Sequence, residues 1–189
     1  MQILVVNNFE DPKDTSCLLG VCTELKTDKV IHYKNLDLEA ANRYDGIVLG
    51  GTTIKGNLTS EERLPFYKWL LSYNKPVLGI CAGHHILGLL NNSKYVKHKQ
   101  PIIGERKIHL TANWDELIEG VDNGDPIYEK HKYHISLPDN YILLAYSFDK
   151  TVEIMKHKSK RHYGVQFHPE KSLKIILNNF KRIIEAKKG

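Results

Sequence analysis

The stretch Pro76-Val77-Leu78-Gly79-Ile80-Cys81-Ala82-Gly83 decides the fold. Val77–Ile80 is a short, continuous apolar run, the pattern of a strand buried on both faces. It meets a helical pattern running from about Gly83 to Leu90, with a cysteine between two glycines at the junction. A G-x-C-x-G turn of this kind is the thiol counterpart of the G-x-S-x-G elbow. Small residues are needed on both sides, because a Cβ at Gly79 or Gly83 would crowd the neighbouring backbone. The turn lifts the side chain above the C-terminal edge of a sheet, where open α/β folds bind ligands. The following helix aims its free N–H groups at the sulfur, which should favour thiolate and lower the cysteine pKa.

Upstream, the same alternation repeats. Ile3–Val6, Val30–Tyr33 and Gly46–Leu49 read as strands. Between them lie helical patterns over Asp14–Lys26 and Leu36–Tyr44. A capping box at Thr59-Ser60-Glu61-Glu62 opens a further helix to about Tyr73. Strand–helix alternation predicts a parallel, doubly wound sheet. From Lys94 the texture changes. Lys107–Thr111, Tyr141–Tyr146, Val152–Lys156 and His162–Phe167 read as shorter, partly alternating strands, punctuated by turn signals at 123–126 and 137–140. Ser172–Ala186 carries an amphipathic helical stripe. The expected architecture is α/β: an open, mostly parallel doubly wound sheet flanked by helices, with additional antiparallel strands in the C-terminal half. Residues 1–189 are read as one domain, since a typical domain has roughly 100–200 residues.

Composition narrows the function classes. The chain is 41% hydrophobic and 26% charged, which is ordinary globular composition. Its charge is +5, carried by 22 Lys and only 5 Arg. Base readout favours Arg and aromatic platforms, and no such cluster is present, so a nucleic-acid partner is not expected. No stretch approaches the roughly 18 apolar residues of a membrane span. The N-terminal apolar run is too short for a signal peptide and lacks a basic leader. Three cysteines, an odd number, suit a reducing compartment, so a cytoplasmic protein is expected. Cys17 and Cys22 are expected in one helix as small core residues. Ten histidines raise a metal site, but none pairs with cysteine at zinc-finger spacing, and no metal is expected.

Gly164-Val165-Gln166-Phe167-His168-Pro169-Glu170 supplies what the cysteine needs. A thiolate used for acyl transfer requires a base that later protonates the leaving amine, and His168 can serve. Glu170, two positions on beyond a stiffening proline, can hold the imidazole tautomer. Gly50-Gly51 ends a neighbouring strand, where a backbone N–H can approach a ligand without a Cβ in the way. The Ala82 N–H is the natural second donor to an oxyanion.

Together these segments resemble the class I, or triad, glutamine amidotransferases. Pro76 to His85 is similar to their nucleophile signature, Gly164–Glu170 to their His-x-Glu segment, and Gly50-Gly51 to their oxyanion strand. The resemblance runs from about Ile3 to Phe180. It implies that Cys81 is the nucleophile, His168 the base and then acid, and Glu170 its orienting group. It further implies that Gly51 and Ala82 donate to the oxyanion, and that Gly50, His85, His131 and Tyr133 contact L-glutamine. Two positions depart from the family pattern. Ala82 replaces a larger apolar residue, and His85 replaces a glutamine, which predicts a roomier and pH-sensitive substrate pocket.

Within the family, Ile103–Ile108, Tyr128–Tyr133 and Tyr163–Glu170 are similar to GMP synthases, although Lys132 stands where glycine is usual. This implies a two-subunit enzyme, with XMP-to-GMP chemistry, ATP and Mg2+ on a separate ATP pyrophosphatase subunit, and no cofactor in this chain. Lysines around 94–107, 130–132 and 156–160 are candidates to face that partner. Anthranilate and aminodeoxychorismate synthase subunits share several of these features. A γ-glutamyl hydrolase or cysteine peptidase is a further alternative.

Overall fold

The computed structural model describes residues 1–53, 58–111 and 114–186. Nine strands form one curled sheet: β1 (Ile3–Asn7), β2 (Val30–His32), β3 (Gly46–Leu49), β4 (Val77–Ile80), β5 (Tyr95–Leu110), β6 (Pro126–Ile135), β7 (Tyr141–Ser147), β8 (Val152–His157) and β9 (His162–Val165). Their order is β2-β1-β3-β4-β9-β8-β7-β5-β6. The first five in that order pair parallel, and the pairings from β9 through β6 are antiparallel. This is the expected architecture, a parallel block extended at one edge by antiparallel strands. Five α-helices accompany the sheet among the described residues: α1 (Leu19–Leu25), α2 (Leu38–Ala41), α3 (Ser60–Arg63), α4 (Ala82–Leu89) and α5 (Ile175–Glu185). None is long and apolar enough to cross a membrane.

The period-2 geometry of strands divides the core into two. Ile3 and Val5 of β1, Val48 of β3, and Leu78 and Ile80 of β4 pack on one face with Phe180 and Ile184 of α5 and Val21 of α1. Leu4, Val6, Ile47, Leu49 and Val77 pack on the other face with Ile86 of α4, Tyr67 and Leu70. Both faces are covered, which is why these strands read as unbroken apolar runs. The α5 stripe is buried at Ile176, Leu177, Phe180, Ile183 and Ile184, the spacing of one helical face.

Four expectations are corrected. The first helix begins at Leu19, not Asp14. Turn bonds hold the preceding segment instead: the Lys13 and Ser16 amides donate to the Asp11 and Asp14 carboxylates, and the Asn7 amide donates to the carbonyls of Pro12 and Asp14. Short polar side chains compete with helix in this way. Cys17 therefore lies outside the helix, and both Cys17 and Cys22 are half-buried rather than core. The Thr59 capping box forms, but α3 ends at Arg63 and Leu64–Leu71 continues as a 3₁₀ helix. Pro65 has no N–H to offer the Glu61 carbonyl, so the α-helical ladder stops. Finally, β5 is far longer than Lys107–Thr111, and β6 is a strand that the sequence pattern did not show. The two form a long ribbon in which β5 is mostly exposed and β6 buries alternate residues, with a register shift between Lys97 and Ile102 across Pro101.

Candidate active site

Three adjacent strands end together at the site. Strand β4 is flanked by β3 on one side and β9 on the other, with Leu49 opposite Gly79 and Gly79 opposite Gly164. Chain leaving β3 therefore delivers Gly50-Gly51, chain leaving β4 delivers Cys81, and chain leaving β9 delivers His168. The 87 positions between Cys81 and His168 are closed by one strand pairing, continued by the Cys81 amide donating to the Val165 carbonyl at 2.8 Å.

The elbow is as tight as its glycines imply. Cys81 has φ 50° and ψ −100°, a backbone conformation that costs a non-glycine residue about 1–3 kcal/mol. A Cβ on Gly79 would lie 2.5 Å from the Gly83 carbonyl, and one on Gly83 would lie 2.2 Å from the Leu49 carbonyl oxygen. These glycines let α4 start directly against β3 and β4. The first amides of α4, Ala82 included, have no intrahelical acceptor and face the turn that carries the sulfur.

His168 is buried beside Cys81. Its Nδ1 lies 2.9 Å from Glu170 Oε1, which leaves Nε2 to meet the sulfur. Both side chains are about 95% shielded from solvent. Burial works against a charged ring here, but hydrogen bonding to Cys81 and Glu170, and their charges, outweigh it and raise the His168 pKa to about 10. The imidazole backbone is fixed too, since the His168 amide donates to the Tyr128 carbonyl at 3.0 Å.

Gly51 sits between these groups. A Cβ there would be 3.2 Å from His168 Cε1 and 3.6 Å from Cys81 Cβ, and its N–H makes no hydrogen bond among the described residues. Gly50 differs. Its N–H donates to Val6 and its carbonyl accepts from the Asn8 side chain, so both backbone groups are used within the fold.

A cleft of about 610 Å³, counting its open mouth, leads to the sulfur. Cys81, Ala82, His85, His131 and Tyr133 line it, with Tyr95, Arg63, Ser60 and three lysines, Lys97, Lys130 and Lys132. Tyr95 and Tyr133 stack at 4.5 Å between ring centroids and form an aromatic wall. His85 Nε2 donates to Gln166 Oε1 at 2.8 Å, and Gln166 Nε2 points at Cys81 Sγ, 3.9 Å away. Burial depresses the His85 pKa to about 3, so the ring stays neutral and the expected pH sensitivity at this position is corrected. Among the described residues, no group of three or more His, Cys, Asp or Glu side chains is placed to hold a metal ion.

Two contributors escaped the sequence reading. Gln166 links His85 to the sulfur; its presence in the His168 segment was visible, its direction was not. Gly20 of α1 lies against Glu170, where an added Cβ would stand 2.9 Å from Glu170 Cγ. Alanine favours a helix interior over glycine by roughly 0.5–1 kcal/mol, yet here it would displace the carboxylate that holds His168. Gly20→Ala is therefore expected to lower the glutaminase kcat about tenfold while leaving the unfolding midpoint nearly unchanged. Parallel kinetics and denaturant titration check this.

The family model for class I glutamine amidotransferases matches residues 6–180. The chain belongs to the class I glutamine amidotransferase family. It is 30% identical over 151 residues to a subunit of the glutamine-hydrolyzing GMP synthase of Thermoplasma acidophilum, covering 79% of this chain and 75% of that protein. The corresponding subunit from Methanobrevibacter smithii is 31% identical over 172 residues, covering 90% and 87%. A crystal structure from Thermoplasma acidophilum, of a protein assigned to GMP synthase, superposes with a TM-score of 0.85 at 28% identity, covering 100% of this chain and 96% of the other. As a family member the chain is a glutamine amidotransferase, and its elbow cysteine lines the cleft with the histidine–glutamate pair buried beside it.

Proposed function

We propose that this amidotransferase is the glutamine-hydrolysing subunit of a two-subunit GMP synthase. The observation that carries the chemistry is the strained Cys81 elbow, which lines the cleft and is held against the buried His168–Glu170 pair. The choice of synthase rests on the GMP synthase subunits that share about 30% of its sequence over most of their length.

The steps follow from the groups in place. The Cys81 thiol proton passes to His168, whose raised basicity suits it to receive one. The sulfur bonds to the side-chain amide carbon of L-glutamine. Charge develops on the amide oxygen, and the Gly51 and Ala82 N–H groups stabilise it, each worth about 3 kcal/mol in the transition state. The carbon–nitrogen bond then breaks as His168 returns its proton to nitrogen, releasing ammonia and leaving a γ-glutamyl thioester. Water attacks the thioester and gives a proton to His168. The carbon–sulfur bond breaks, the sulfur regains the proton, and glutamate leaves. Glu170 holds the imidazole tautomer throughout. His85, His131 and Tyr133 orient the substrate from the cleft walls, and Gly50 holds the strand end that presents Gly51.

Ammonia goes to a separate ATP pyrophosphatase subunit, which uses ATP and Mg2+ to convert XMP to GMP. No cofactor is needed on this chain. Lys97, Lys130 and Lys132 stand at the cleft mouth, where such a partner would dock. The test is reconstitution with the native partner, comparing acceptors. Glutamine-dependent amination of XMP is expected. Amination of chorismate instead would assign the chain to anthranilate or aminodeoxychorismate synthesis. Turnover of γ-glutamyl peptides without free glutamine would make it a γ-glutamyl hydrolase.

A further inference from the structure

Two buried carboxyls lie behind the site, and no step above uses them. Glu129 projects from β6 and Glu153 from β8, each 0% exposed, and the two carboxyls lie against one another inside the curled half of the sheet. None of their four oxygens has a hydrogen-bond partner among the described residues. Arg106 Nε stands 3.0 Å from Glu129 Oε2, and His131 Nε2 stands 3.6 Å from the same oxygen. The nearby Ser147 hydroxyl is spent on Asp149. His98, stacked edge-on to His131 at 5.3 Å, and Asp149, 3.3 Å from Arg106 Nη1, complete the titratable surroundings.

Two oxygen acceptors cannot bond to each other without a proton between them. Two ionised carboxylates also cannot remain in contact in a dry interior. Arg106 is shared between Glu129 and Asp149, so it cannot balance a second charge on the pair. The asymmetry of the surroundings says which carboxyl keeps the proton. Burial and the charge of Glu129 push Glu153 far up, whereas His131 and Arg106 offset burial and hold Glu129 low.

The pair is joined to the site through its own backbone. The Glu153 carbonyl accepts from the Gln166 amide at 2.9 Å, and the carbonyl of Tyr128, next to Glu129, accepts from the His168 amide at 3.0 Å. Gln166 thus hangs from β8 and His168 from β6. We propose that Glu129 and Glu153 hold a single proton between them, and that this carboxyl–carboxylate bridge is a positioning device that locks β6 to β8 and sets His168 against Cys81. It also backs His131, which lines the cleft. The positioning half of the proposal rests on Cys81 and His168 being the reacting pair; the shared proton does not.

The test compares Glu153→Gln and Glu153→Leu in the reconstituted complex. Glutamine replaces the O–H donor with an N–H donor and keeps the bridge; leucine removes it. The Gln variant is expected to stay within about threefold of the unsubstituted protein, and the Leu variant to lose about tenfold or more in kcat with little change in KM. Independently, the infrared spectrum at neutral pH is expected to contain the carbonyl band of a buried, protonated carboxylic acid that Glu153→Gln removes. Equal losses in both variants, or no loss in Leu, overturn the positioning role. Absence of the acid band overturns the shared proton. If Leu does not fold, a tenfold loss in the Gln variant still counts against the bridge. A complex that hydrolyses no glutamine at all would instead refute the assignment of the reacting pair, and the infrared band would still decide the proton.

Discussion

Cys81→Ala is expected to lower glutamine-dependent product formation by the assembled synthase by more than about a thousandfold, while synthesis from added ammonia continues. Without sulfur there is no atom to hold the γ-glutamyl group, and His168 has nothing to deprotonate. Alanine is smaller than cysteine, and the side chain it replaces is buried among Gly51, Gln166 and His168, so the fold and the docking surface should survive. The comparison therefore separates ammonia production from ammonia use. Loss of both activities would contradict a role confined to supplying ammonia. Retention of glutamine-dependent activity would mean that another nucleophile does the work, and Cys17 and Cys22, both half-buried and far along the chain from the elbow, would have to be considered.

Gly83→Ala is expected to be nearly as damaging, by a different route. The added Cβ would meet the Leu49 carbonyl oxygen at 2.2 Å and Leu49 Cβ at 2.6 Å. Leu49 ends β3, two residues before Gly51, and is fully buried. Neither partner can yield cheaply, so α4 must move away from the sheet. Overpacking of this kind costs about 1–3 kcal/mol. The shift also separates the two oxyanion donors, because Gly51 rides on β3 and Ala82 on α4. A displacement of about 1 Å can cost 10²-fold in rate, so glutaminase activity should fall about that far. Denaturant unfolding and steady-state kinetics on one preparation check both halves. A variant with unchanged stability and rate would show that the elbow is looser than its contacts imply.

The parallel half of the sheet was legible because its strands are covered on both faces. Residues 3–6, 46–49 and 77–80 have no solvent-facing positions, so they show as uninterrupted apolar runs, and their burial is complete. The β5–β6 ribbon was not legible for the opposite reason. Much of it faces solvent, its alternation is carried by Lys, His and Glu, and Pro101 breaks its register. Such a strand looks like a charged loop. The helix after Thr59 was half legible: the capping box gave its start, and the consequence of Pro65 was the conversion to 3₁₀ geometry.

The site divides in the same way. Cys81, His168 and Glu170 could be found because each belongs to a short local pattern whose chemistry dictates its spacing. Their meeting depended on β9 lying beside β4, which no local pattern states. Gly20, Gln166, Glu129 and Glu153 act through contacts between elements far apart in the chain, and single residues of these types carry no signature. The His85 departure was visible, but its consequence depends on burial, which outweighs the Gln166 hydrogen bond and holds the ring neutral.

The central claim is that the sulfur of Cys81 attacks the side-chain carbonyl carbon of glutamine. A glutamine analogue bearing an electrophilic carbon at the γ position tests it most directly. Peptide mapping after incubation is expected to show one label per chain, on Cys81, with labelling suppressed by L-glutamine. Label on Cys17 or Cys22 with Cys81 unmodified, or labelling indifferent to L-glutamine, would contradict the claim.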